Sequence, residues 1–452
     1  MSYSFHPHHN HIPEWEFYGS GAETEYLQCI EEGLDVEAFK ELFDFTYRLP
    51  QNEIKQKLGD VLFDIVKNAP TVDGYPYNEP SELEVIRVLR KPFAFTATPV
   101  PERDVLQDKI YGAWLGRICG CMLGKSIEGI RTSELHPFLI DTHNFPLNRY
   151  IRFSDITQDI RAKYGFPFSE RPYVDQSDSM PPDDDTNYTV MSQQLIETCG
   201  RDFTPLDVLQ AWPYAQRRTS YCTAERVAYC NYMKGLLPPE SAYYKNPYRE
   251  WIGAQIRADY YGYINPGDPE TAAEMAYRDA SVSHIKNGIY GAMFVAAMLA
   301  VAAVNDNIED IIEAGLAQIP CSSRLYESIQ KVLADYRGGM SEHDWFVNFR
   351  AQYNEHYGHY WAHTVTNAMI VVASLLYGNG DYGRSICIAV ENGFDTDCNG
   401  ATVGSILGMR SGSGCIDDVW REPFHDTLRT TLYGIPSAKI RDLAEKTMHH
   451  LP

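Results

Sequence analysis

Basic residues are scarce: 39 Lys and Arg stand against 61 Asp and Glu, for a formal net charge of −22 over 452 residues. Attraction to a phosphate backbone needs a cationic footprint, so this balance excludes nucleic acid as a main partner. Among the ten cysteines there is no Cys-x-x-Cys pair, and Cys119 and Cys121 have no second pair to complete a zinc site. Cys119, Cys199 and Cys387 lie in apolar stretches, where a reduced thiol packs as a small core residue, which predicts a cytoplasmic setting. Met1 to Trp15 is rich in His and Pro and lacks the apolar run of a signal peptide. It reads as a mobile polar tail, although His6, His8, His9 and His11 offer nitrogens to a stray metal. Long apolar runs are missing too. Gly288 to Val304 is free of charge but only just long enough to cross a membrane, and Lys286 and Asp306 bound it closely. A buried core helix is expected there, and no membrane partner.

Alternating β-branched strands, fixed-period repeats, low-complexity tracts and a complete phosphate-loop pattern are also lacking. What is present is helical. Leu58, Val61, Leu62, Ile65 and Val66 form an apolar stripe before a Pro-punctuated stretch from Pro70 to Pro101. Residues 1–103 therefore read as a tail plus a small helical extension. Residues 104–452 read as one all-α body, with Ala/Gly/Leu/Ile-rich segments at 106–124, 186–199, 205–217, 222–235, 270–280, 285–304, 308–317, 322–336, 363–377, 383–392 and 398–410. Stretches 136–183 and 240–268 are rich in Pro, Tyr, Asn, Asp and Gly, and read as long ordered loops with functional potential.

Two glycine rows stand out. Gly112, Gly116, Gly120 and Gly124 recur every four residues, as do Gly400, Gly404 and Gly408. On a helix such a row lies along one face. Each glycine costs roughly 1 kcal/mol relative to alanine, so the rows predict two helices whose backbones touch.

Carboxylates cluster beside these rows. Asp183, Asp184 and Asp185 precede a helical pattern; one would serve as N-cap and a second would favour the helix dipole. The third exceeds what capping needs, leaving a solvated cap or an oxygen site for a hard cation as the alternatives. A second turn, Asp395-Thr396-Asp397 after Gly393, again sets two carboxylates before a buried helix. Two such turns converging on one cleft would hold one or two divalent ions. Glu128 follows the first glycine row as a third acidic element, and taken alone it is an ordinary loop acid.

Together these places resemble the ADP-ribosylglycohydrolase family. Asp108 through Gly112, Trp114 and Gly116 to Gly124 and Glu128 is similar to its first helix and acidic loop. Asp184-Asp185-Thr186 is similar to its Asp-Asp-Thr motif, and Asp395-Thr396-Asp397 before Gly400, Gly404 and Gly408 to its C-terminal Asp-x-Asp motif. Asp279 to His284, before an Ala-rich helix, is similar to its Ser/Thr-His element near the ribose-phosphate. The match runs over about residues 106–412.

The resemblance implies a compact orthogonal multi-helix fold with Mg²⁺ bound, Mn²⁺ being possible, and hydrolysis of a ribosyl glycosidic bond, commonly that of ADP-ribose. It implies metal ligands at Asp184, Asp185, Asp395 and Asp397, a mobile acid at Glu128, and substrate contacts at His284 and Asn399. His284 would contact the ligand or orient its neighbours. Two positions depart from better-known members: Asp183 and Cys398 stand where those have threonines. A thiol suits a hard ion poorly, so the second metal position is expected to be altered, with Asp183 compensating. Asn265 through His284 and Asp397 to Gly400 resemble a bacterial branch whose substrates extend to small ribosides. The alternatives are thus an ADP-ribosyl hydrolase, a hydrolase of nucleosides or small N-ribosides, and a non-enzymatic relative. An adenine or other base would stack on Tyr243, Tyr244, Tyr248, Tyr260, Tyr261 or Tyr263 if the 240–268 loop is a platform rather than packing. The sequence does not specify the oligomeric state.

Overall fold

A computed structural model describes residues 8–95 and 99–452. Among the described residues the only strands are Thr427–Arg429 and Ser437–Lys439, an antiparallel pair in which Thr427 faces Lys439. The rest of the regular structure is helical, so the all-α expectation holds. Arg103–Lys125, Asp184–Cys199, Pro269–Ala280, Lys286–Ala302, Thr364–Tyr377 and Thr396–Ser411 are helices where the apolar segments placed them.

The two glycine rows meet face to face. A Cβ added at Gly112 would lie 2.6 Å from the Gly408 carbonyl oxygen, and one at Gly116, Gly120 or Gly124 would overlap the backbone of Gly404, Gly400 or Thr396. The pairing runs 112 with 408, 116 with 404, 120 with 400 and 124 with 396, so the helices are antiparallel and locked in register. Backbone approach this close gives many dispersion contacts and Cα–H···O contacts, which offset the poor helix propensity of glycine. Tyr382 Oη donates to Gly116 O at 2.9 Å and further ties the first helix to its neighbours.

Lys286–Ala302 is the apolar axis of the body, buried from Asn287 to its end. Helices Pro269–Ala280, Ile308–Leu316 and Thr364–Tyr377 pack around it. Among the described residues no helix is long and apolar enough to cross a membrane.

Ala22–Glu31, Lys40–Arg48 and Glu53–Asn68 share a small apolar cluster of their own, with Cys29, Phe43 and Leu62 buried in it. Buried ions bolt this unit to the body. Arg249 pairs with Glu25 and Glu32, each at 2.7 Å, and Arg324 pairs with Glu31 at 3.4 Å and with Glu79, in the segment after the unit, at 2.8 Å. Removing one partner from such a buried pair strands the other charge, at a cost of about 3–5 kcal/mol.

Three expectations need correction. The tail lies outside the described residues up to position 7, but from His8 the chain turns onto the body. Arg226 lies over the Trp15 ring at 4.8 Å and Glu16 pairs with Arg218 at 3.2 Å. The 136–183 stretch contains helical pieces, since Thr132–Asp141 extends into it and Gln158–Lys163 lies within it. The 240–268 stretch is not a surface loop: Ile252–Arg257 and Asp259–Tyr263 are buried helical turns. Its tyrosines are packing: the hydroxyls of Tyr260, Tyr261 and Tyr263 find partners inside, and the rings of Tyr243, Tyr244 and Tyr248 lie against aromatic neighbours. Tyr261 donates to Asp279 at 2.7 Å, Tyr263 bonds Ser405 at 2.6 Å, and Tyr243 and Tyr244 pack on Phe63 of the N-terminal helices. Tyr248 packs on Trp251, and Tyr260 bonds His450.

Gly404→Ala should destabilise the protein by about 3 kcal/mol or more through backbone overlap. Gly414→Ala, where a Cβ meets nothing within 4 Å, should stay within about 0.5 kcal/mol of the original. Urea unfolding of the two variants checks this; equal midpoints would refute the close-contact account.

Candidate metal centre

The register of the glycine helices delivers the site. Gly124 abuts the backbone of Thr396 and Asp397, and Thr396 Oγ1 donates to Gly124 O at 3.0 Å. The end of the first glycine helix, with Lys125 and Glu128 beyond it, is thereby set against the Asp395–Asp397 turn at the start of the second.

The other aspartate turn arrives on Asp184–Cys199. Asp183 is its N-cap, with Oδ1 accepting from Asp185 N at 2.9 Å. Arg117, on the first glycine helix, fixes this turn from behind. Its Nε and Nη2 donate to Asp185 O at 3.0 and 2.8 Å, and Nη2 also donates to Asp185 Oδ1 at 2.9 Å. Nη1 donates to Asp259 Oδ2 at 2.8 Å. Lys125 Nζ donates to Asp183 Oδ2.

Glu128, Asp183, Asp184, Asp185, Asp395 and Asp397 are thus gathered into one cage, and each feels the others electrostatically. Glu128 is pushed well above the ordinary carboxylate range, first by the charge of Asp397 and then by burial. Burial followed by Asp183 and Asp397 lifts Asp184 to about 6. Burial raises Asp185 well above its ordinary value, only partly opposed by Arg117. Asp395 is raised by burial, Asp397 and Glu128, and Asp397 by burial and Asp183. Asp183 alone is lowered: burial opposes ionisation, but the Lys125 ammonium and the Asp185 N–H outweigh it.

The residues fit a hard divalent cation. Carboxylates outnumber local cations, so most resist ionisation until more positive charge arrives. Asp397 is buried and its Oδ1 has no hydrogen-bond partner, as is the case for Oδ1 of the neighbouring Asn399. Oxygens of Asp395 and Asp397 lie within 4.8 Å of one another and of Cys398 Sγ. Burial and the surrounding aspartates push the Cys398 thiol well up, which keeps it protonated and a poor ligand for a hard ion.

The remaining predicted residues are placed differently. Asn399 sits beside the cage, its Nδ2 donating to Asn367 Oδ1 at 2.8 Å; that same oxygen accepts from Asp395 N at 3.3 Å. His284 is not brought into the cage. It is fully buried, with Nδ1 2.8 Å from Ser283 Oγ, and burial with the nearby Arg257 holds it neutral. It is closed off from solvent, and its Nε2 has no hydrogen-bond partner. Arg257 joins the two regions, pairing with Glu225 and Asp279 and donating to Ser283 Oγ at 2.8 Å.

The sequence reasoning missed Lys125, Arg117, Asp259 and Asn367. A lysine at the last position of a helix reads as a favourable dipole partner. An arginine inside an apolar glycine helix was the available signal, because a buried guanidinium needs carboxylates.

A second group with metal-ligating atoms, Glu31, His359 and His363, lies where the N-terminal helices meet the body. His363 Nδ1 accepts from Val365 N at 3.1 Å, which leaves the proton on Nε2, facing Glu31 and Glu250 at 3.5 Å. That nitrogen has no lone pair for a metal. Burial would raise Glu31, but His359, His363 and Arg324 hold it at about 2, so the group is a charge-bearing joint.

The class defined by this structure is an all-α body with a cluster of carboxylates at a glycine-locked helix pair. The ADP-ribosylglycohydrolase family model matches residues 102–451, and the chain belongs to that family. A solved structure described as an ADP-ribosylglycohydrolase-related protein complex is similar at 19% identity and a TM-score of 0.47, over 77% of this chain and 99% of its own. No curated protein matches the sequence.

Burial drives Glu225 up to about 7 from an ordinary 4.5, with Arg257 opposing. A raised folded-state value means its protonated form favours folding below pH ~4.5, and this contribution is lost as pH rises through about 7. Glu225→Gln removes that loss. Its stability relative to the original protein should therefore rise by about 3 kcal/mol between pH ~4.5 and pH ~8. Urea unfolding at both pH values measures it, and a pH-independent difference would count against the buried-carboxyl account.

Proposed function

We propose that this protein is a Mg²⁺-dependent glycohydrolase that cleaves a ribosyl glycosidic bond, with an ADP-ribosyl group as the substrate. Membership of the ADP-ribosylglycohydrolase family implies hydrolysis of a glycosyl bond. The observation that carries the finer reading is the buried, partnerless Asp397 Oδ1 within a cage of excess carboxylates.

Cleaving a riboside builds positive charge on the sugar ring and negative charge on the departing group. A hard divalent ion held by Asp184, Asp395 and Asp397 would supply the positive charge that gathers sugar oxygens and acidifies water. The surplus carboxylates stabilise the positive ring as it forms. Glu128 is half-buried at the mouth of the cage, and Asp397 favours its protonated form. As a protonated acid it gives its proton to the departing group; once ionised it accepts one from the attacking water. Arg117 and Asn367 hold the two aspartate turns in position.

The purified protein should release ADP-ribose from ADP-ribosylated peptides when Mg²⁺ is present and lose this activity in chelator. Asp397→Ala should abolish Mg²⁺ binding, and Glu128→Gln should lower kcat by about 10²–10⁴ with Mg²⁺ binding retained. Calorimetry and product chromatography read these outcomes. Turnover confined to free nucleosides would move the substrate to small N-ribosides, and Mg²⁺ binding undisturbed in Asp397→Ala would refute the cage as the metal centre.

A further inference from the structure

Lys125 is the last residue of the first glycine helix, and the Gly124–Thr396 contact fixes where its side chain starts. Its ammonium pairs with Asp183, the side chain is only 20% exposed, and Asp397 is its next carboxylate neighbour. The ammonium therefore sits on the Asp183 turn, within electrostatic reach of Asp397. Asp185, whose carboxylate groups with that of Asp183, already has Arg117 at 2.9 Å. Cys121, the third ligand-bearing residue there, is kept a thiol by burial and by Asp183 and Asp185. So the Asp183–Asp185 side holds two fixed positive charges of its own, and the Asp395–Asp397 side holds the orphaned oxygen.

We propose that the Lys125 ammonium is a built-in cation that fills the Asp183 side of the cage, so that this protein takes up one divalent ion rather than two. The inference rests on the cage being a metal centre. An ammonium is a compact point charge with three donors and no need of loading. It neutralises Asp183 permanently and leaves Asp184, Asp395 and Asp397 to the exchangeable ion. Lys125 is accordingly a positioning residue for that ion and fixes how many ions bind.

Titration of the full chain with Mn²⁺, followed by calorimetry and by electron paramagnetic resonance, tests this without substrate. The original protein should bind one Mn²⁺ with an uncoupled signal. Lys125→Ala should bind two, with the spectrum of a coupled pair. Lys125→Met keeps the stem that packs in the cage and should behave likewise if the alanine variant fails to fold. Without metal, Lys125→Met should melt at a lower temperature, and Mn²⁺ should restore it, which loss of mere packing would not allow. Two ions in the original protein, or one ion in the lysine variants, would overturn the inference while leaving the proposed function standing. No ion in the original protein would overturn both.

Discussion

Backbone-to-backbone contact between two glycine-lined helices sets the positions of nearly everything else that matters. Side chains at Gly112, Gly116, Gly120, Gly400, Gly404 or Gly408 would drive the helices apart. The contact is antiparallel and in register, so one end of the pair brings Lys125 and Glu128 against Asp395 and Asp397. The glycines give up helix propensity, roughly 1 kcal/mol each. In return the site sits on two rigid elements whose relative slide is fixed, which a loop-built site would lack.

The electrostatics follow from that geometry. Six crowded carboxylates, four of them buried, repel one another, and only Asp183 has a cation strong enough to lower its pKa. Arg117 offsets part of the charge on Asp185 and is shared with Asp259. A cage so short of positive charge has the donor set that a hard divalent cation favours.

Much of this was legible in the sequence because it is written in local patterns. Four-residue glycine spacing reveals a contact face, and consecutive aspartates before an apolar helix reveal a charged turn. The charge-free Gly288 to Val304 segment was rightly read as core, since close flanking charges argue against a span. The tyrosine-rich 240–268 stretch misled, because composition does not tell a solvated loop from buried turns whose hydroxyls pair internally, as Tyr261 does with Asp279. The Ser283-His284 pattern is visible in the sequence, whereas its full burial beside Arg257 depends on packing. Lys125 was hidden because its partner Asp183 is 58 residues away, a pairing that only the fold reveals.

The central claim, that the glycine register turns two distant aspartate motifs into one cation cage, is tested most directly by anomalous diffraction from crystals soaked in Mn²⁺. The account predicts a peak bounded by Asp184 on one side and by Asp395 and Asp397 on the other. An empty cage, with manganese instead at Glu31, His359 and His363, would contradict it.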